Sequence, residues 1–161
     1  MEEMSRAAMR AMLWNWGHVL TTVAGYEQEM RVLWHAVADA RDTLGAQRLS
    51  GMPGAGEVSD PVLRAVMATQ RRIEEYERGS GAMAQRIQSR LELKNVVDEC
   101  VARLSDVDQR VLTLRYKNGM SWLAISIKLS YSLSQVRYHD TRAVDALRGM
   151  EEIRALNNRR R

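Results

Sequence analysis

Phenylalanine is absent from this sequence, cysteine occurs once, and proline occurs only at Pro53 and Pro61. Each scarcity excludes something. A single thiol, Cys100, allows neither an internal disulfide nor a cysteine-based metal site, and it suits a reducing compartment such as the cytoplasm. His18 and His35 stand too far apart on one helix to act as a metal pair. No apolar run approaches the roughly 20 residues that span a bilayer. The opening MEEMSR is too acidic for a secretory signal. No carboxylate pair, histidine cluster or nucleophile–base set recurs at a converging helical spacing, so neither an enzyme nor a cofactor is expected. What is abundant is Ala, Leu, Met, Arg and Glu, which predicts an all-α chain of one or two domains over the 161 residues.

Charge is unevenly placed. Residues 1–50 carry −1, residues 51–103 are neutral, and residues 104–161 carry +5, which exceeds the +4 of the whole chain. Arg159, Arg160 and Arg161 supply part of that excess as a basic tail; without them the segment keeps +2. A basic end on a neutral stalk fits a module that binds a polyanion.

Within residues 6–44, Leu13, Trp16, Leu20, Val23, Met30, Trp34, Val37 and Leu44 recur at three and four spacings. This predicts one long coiled-coil-like helix, or two broken near Gly25. Trp14 and Trp16 cannot share a helix face, so one of them is expected to meet a second surface such as another subunit. Trp16, Leu20 and Trp34 are the candidate interface residues. Gly45, Gly51, Gly54 and Gly56 mark residues 45–60 as a connector; no lysine stands there to make a nucleotide-binding loop. Asp60-Pro61 then announces a helix, with Asp at the cap and Pro in the first turn. Its apolar positions run through Val66, Ile73, Ile87, Leu91 and Val97, with Gly79 and Gly81 a possible break. Two such helices predict a long helical hairpin over residues 1–103 that serves oligomerisation.

Residues 104–150 are the working end. Ser105 with Asp108 three residues on reads as a capping-box variant, and Asn118-Gly119 as a helix stop. Ser121 caps a short helix whose inward face is Trp122, Ile125 and Leu129. Ser130 to Ser132 is a tight turn, and Ser132 with Gln135 forms a capping box for the last helix. Val136, His139, Ala143 and Leu147 point inward. Ser134, Arg137, Tyr138 and Thr141 lie opposite, flanked by Leu133 and Arg142. This is a helix-turn-helix, whose second helix would enter a DNA major groove and whose hydroxyls, arginine and tyrosine suit phosphates and base edges. Tyr116 and Trp122 are expected in the core, and Cys100 as an inert buried thiol.

The stretch LSDVDQRVLTLRYKNGMSWLAISIKLSYSLSQVRYHDTRAVDALR resembles region 4 of the sigma-70 family, which reads the −35 promoter element. RVLTLRY, the S-W-x-x-I-x-x-x-L helix and the S-x-x-x-V-R helix carry the likeness in that order. LSGMPGAGEVSDPV further resembles the SGMPGG-x-SD connector of a phage family with the same domain order, similar to late-operon transcriptional activators of the RinA/ArpU type. The resemblance implies −35-type contacts at Leu133, Ser134, Arg137 and Tyr138. Leu133-Ser134 replaces the Arg-Glu pair typical of sigma, so a different sequence would be read. Ser130 replaces the turn glycine, and Leu123 and Ile127 stand where charged residues are usual. The last two form an apolar pair suited to docking on the hairpin or a second subunit.

The expected protein is therefore a sequence-specific regulator that binds double-stranded DNA through Leu133, Ser134, Gln135, Arg137, Tyr138, Thr141 and Arg142. It would act as a homo-oligomer with host RNA polymerase. A small terminase-like packaging protein and a polymerase-binding interaction module are the alternatives.

Overall fold

A computed structural model of the protein describes residues 4–50 and 60–159. The described residues are mostly helical, with no strand among them. Seven α-helices follow in order: α1 (Arg6–Gly17), α2 (Val19–Ser50), α3 (Asp60–Ala102), α4 (Asp106–Leu112), α5 (Trp122–Leu129), α6 (Leu133–Gly149) and α7 (Glu151–Arg159). A π-helical turn, Thr113–Lys117, extends α4. Among the described residues, no helix is long and apolar enough to cross a membrane.

The chain divides into two compact units, Val23–Ile87 and the remainder, Met1–Thr22 with Gln88–Arg161. The unit that contains α4 to α7 thus also takes in α1 and the last turns of α3. In the Val23–Ile87 unit, Val37, Ala40 and Thr69 are buried, and the Trp34 ring lies 5.5 Å from that of Tyr76. The α3 helix passes Gly79 and Gly81 unbroken, and a side chain at Gly79 would meet only Leu33 at an ordinary 3.6 Å.

Three expectations are corrected. The break in the first helical stretch falls at Gly17-His18, not Gly25. Gly25 faces open space inside α2, whereas Gly17 sits where α1 and the π-helical turn touch backbone to backbone. A Cβ on Gly17 would lie inside the Tyr116 carbonyl group. Second, residues 45–50 are the end of α2; of the connector, residues 51–59 lie outside the described residues. Third, of the basic tail Arg159 to Arg161, Arg159 is the last residue of α7, while Arg160 and Arg161 lie outside the described residues. Ile153 and Leu156, three apart, are buried on one face of α7, and Arg159 pairs with Glu92 at 2.7 Å.

Serines start the helices. The hydroxyls of Ser5, Ser105, Ser121 and Ser132 accept hydrogen bonds from the backbone N–H groups of Ala8, Asp108, Ala124 and Gln135. At α6 the box is reciprocal, because the Ser132 N–H donates to Gln135 Oε1 at 2.9 Å. Val111, Leu114, Ile125 and Val136 form one core cluster, walled by Met120, Trp122, Leu129 and Tyr131. Met9, Leu13 and Trp16 of α1 and Leu93, Val97 and Cys100 of α3 are buried in the same unit. Burying each large side chain contributes about 1.5–3 kcal/mol, so α1 is a structural part of that unit. Trp16, expected at a subunit interface, is instead buried within this unit: it is 3% exposed, and its indole N–H donates to Asp98 at 2.8 Å.

Between α5 and α6 the chain reverses at Ser130, whose φ of 56° and ψ of 37° are left-handed. Its N–H donates to Ile127 O and that of Tyr131 to Ser126 O, the pairing of a Schellman ending. Glycine is the usual occupant, since a left-handed residue with a Cβ costs about 1–2 kcal/mol. Ser130→Gly is expected to gain about 0.5–1 kcal/mol after the added chain entropy of glycine is offset. Denaturant unfolding checks it, with a midpoint at or below wild type counting against strain at this turn.

Candidate nucleic-acid interface

The first turns of α6 present an exposed face. Leu133 is 38% and Tyr138 62% exposed, and Ser134, Gln135 and Arg137 are also exposed. Arg137 makes no side-chain hydrogen bond or ion pair among the described residues. The Tyr138 ring leans against His139 in an edge contact, with centroids 5.8 Å apart. Gln135 is partly committed, because its carbonyl oxygen holds the cap. Thr141 is half-buried one turn beyond Arg137, with its hydroxyl 3.5 Å from Arg10.

Arg142 is held differently. Its guanidinium donates to Asp108 Oδ2 at 2.7 and 3.0 Å and to Ser105 Oγ at 3.0 Å. His139 Nδ1 lies 2.8 Å from the other oxygen of Asp108. The Asp108 carboxylate therefore does not close a capping box; it ties α4 to α6. Its burial alone would raise its pKa, but hydrogen bonds from Arg142, His139 and Ser105 outweigh that and hold it below the usual 3.8. Asp98 follows the same pattern, with burial opposed by Lys94, Trp16 and Lys117. At Asp145 the Arg6 contacts, partly opposed by burial and reinforced by Arg148, bring the carboxyl to about 2.

These carboxyls bind protons more weakly folded than unfolded, so protonation favours unfolding. Stability is therefore whole above pH about 4 and lost progressively as pH falls towards about 2. Thermal melts across that range check this. Asp145→Asn should flatten the fall, and a melting temperature independent of pH below about 4 would contradict it.

A residue without any local signal proves central. Asp140 is 1% exposed on α6. Its Oδ1 accepts the Tyr116 hydroxyl at 2.9 Å, and its Oδ2 accepts Arg10 of α1 at 2.9 and 3.2 Å. Burial first, and then Asp140, push the Tyr116 phenol well above its usual range, so it stays a donor. Arg10, Arg115, Arg137, Trp14, Trp122 and Asp140 border one open cleft of about 380 Å³. Arg115 is clamped there, 5.1 Å from the Trp14 ring and 4.6 Å from that of Trp122, with one N–H donating to Met120 O at 2.9 Å. Sequence spacing could not bring Arg10 to this place, since 130 positions separate it from Asp140.

The remaining candidates fall elsewhere. Leu123 and Ile127, 63% and 72% exposed, stand out from α5, and Leu20 is 64% exposed. Trp34 is 47% exposed in the other unit, against Tyr76. Cys100 is buried; burial first, then Glu152, raise its thiol, which makes it unreactive. Among the described residues no group of histidine, cysteine and acidic side chains could hold a metal ion.

Comparison with curated proteins and with solved structures returns no match. One family model does match, over residues 37–149, which include all of α3 to α6. The chain belongs to that family, DUF722, described as a protein of unknown function.

Proposed function

We propose that this protein is a sequence-specific DNA-binding transcription regulator, a phage or prophage late-gene activator that works with host RNA polymerase. In this reading α5 and α6 are a helix-turn-helix resembling sigma region 4, and α6 enters the major groove. Leu133, Ser134, Arg137 and Tyr138 meet the DNA, with Gln135, Thr141 and Arg142 at the margin.

One observation carries the reading: Arg137 stands exposed on the second turn of α6 with no partner among the described residues. Other arginines of this segment are already engaged, Arg142 on Asp108, Arg148 on Asp145 and Arg159 on Glu92. An unpaired guanidinium flanked by an exposed serine and tyrosine suits a guanine edge or a phosphate. The Val23–Ile87 unit acts as a helical hairpin that sets subunit number, and Leu123 and Ile127 offer an apolar face to a second subunit or to polymerase.

Arg137→Ala is expected to weaken duplex binding by about 1–3 kcal/mol. Wild-type affinity should fall steeply with salt, because neutralised phosphates release counterions. Anisotropy titrations with labelled duplex measure both. A flat salt response, or an Arg137→Ala affinity equal to wild type, would remove α6 from the interface. Polymerase capture that persists without DNA and with Arg137→Ala would instead favour a protein-interaction module.

A further inference from the structure

We infer that the arginine cleft between α1, the π-helical turn and α6 binds a phosphate group, the DNA backbone phosphate beside the point where α6 enters the groove. The inference rests on the DNA-binding reading and extends the interface to Arg10 and Trp14 of α1, which lie outside the helix-turn-helix.

The cleft is built for an anion. Three guanidiniums, Arg10, Arg115 and Arg137, border about 380 Å³ of open space against one carboxylate, Asp140. Asp140 is buried, and both its oxygens are occupied, one by Arg10 and one by the Tyr116 hydroxyl. It therefore compensates Arg10 and leaves the charges of Arg115 and Arg137 unopposed within the lining. Arg115 is also fixed in place. Indoles from two different helices hold its guanidinium, and only one of its five N–H groups is used, on Met120 O. A pre-positioned guanidinium loses little rotamer freedom on binding, and its planar donors match a phosphate in two-point contact. Arg137 lies on the wall that continues into the exposed face of α6. A phosphate seated here would thus be held by a clamped arginine from behind and an unpaired one from the groove side. It would fix the register of α6 on the duplex without reading sequence.

The test uses the intact chain and a short duplex of arbitrary sequence, where phosphate contacts dominate affinity. Arg115→Gln should lower the slope of log affinity against log salt by about 0.9, the loss of one phosphate contact. Arg115→Lys, which keeps the charge and its place between the rings, should restore most of it. If wild type binds duplex but Arg115→Gln keeps the wild-type slope, the cleft inference is overturned while the DNA reading stands. If wild type binds no duplex, the DNA reading fails and the backbone phosphate is overturned with it. A pyrophosphate titration of indole fluorescence, sensitive to Trp14 and Trp122, covers an Arg115→Gln that does not fold. A saturable change displaced by duplex supports the backbone phosphate; no change, or a change that duplex cannot displace, overturns it.

Discussion

Replacing Gly17 by alanine is expected to destabilise the protein by about 3 kcal/mol or more, lowering the melting temperature by roughly 10 °C. The new methyl group would lie 1.9 Å from the Tyr116 carbonyl oxygen, which is backbone and cannot rotate away. To make room, α1 must lift from the π-helical turn, and with it Met9, Leu13 and Trp16 lose their burial. Gly25→Ala is the matched control. Its methyl meets nothing within 4 Å inside a helix, so it should stabilise by about 0.5–1 kcal/mol. Thermal or denaturant unfolding of the two variants decides the matter. Equal effects would mean that α1 is not docked as described.

The second large effect concerns the buried charge on α6. Arg10→Met leaves the Asp140 carboxylate, 1% exposed, with only the Tyr116 hydroxyl. Removing one partner of a buried pair typically costs about 3–5 kcal/mol. The side chain of Arg10 is 38% exposed, so solvent already screens part of the attraction and the lower end is expected. Adding Asp140→Asn removes the stranded charge but keeps an acceptor for Tyr116. The double variant should therefore be more stable than Arg10→Met alone. Equilibrium unfolding in urea gives the order, and a double variant weaker than the single one would show that the carboxylate is not buried and uncompensated there.

Both predictions concern contacts between residues about 100 positions apart or more, and both were invisible to spacing and propensity. What could be read from the chain was local. Ser121, the Ser132–Gln135 box and Asn118-Gly119 signal helix ends through bonds within a few residues, and the structure has those bonds. The inward face of Trp122, Ile125 and Leu129 follows from helical periodicity alone. Where local and distant interactions compete, the distant ones win. Asp108 looks like a capping acid, yet His139 and Arg142 claim its carboxylate. Gly25 looks like the natural break, yet Gly17 is the glycine that another backbone needs. Trp16 looks like a surface anchor because its spacing matches Leu20, but Asp98 supplies a partner for its indole and burial follows. At the proposed interface, Arg137, Ser134 and Tyr138 could be placed from periodicity because they lie on one face of one helix. The cleft behind them could not, because Arg10, Arg115 and Arg137 come from three separate elements.

Ion pairs and a hydrogen bond tie α1 and the residues just before it to α6. Arg6 bridges to Asp145 at 2.6 Å, Arg10 to Asp140, and Arg148 donates to the Met4 carbonyl. Any change that loosens α1 should therefore reach the helix proposed to read DNA.

The most direct measurement is selection of duplexes by the purified intact chain from a random-sequence pool, run in parallel with Arg137→Ala. The account predicts that one motif is enriched by wild type, that it differs from a standard −35 element, and that Arg137→Ala loses or relaxes it at one or two positions. A pool that emerges with no motif above its input, or the same motif at full strength with Arg137→Ala, would contradict it.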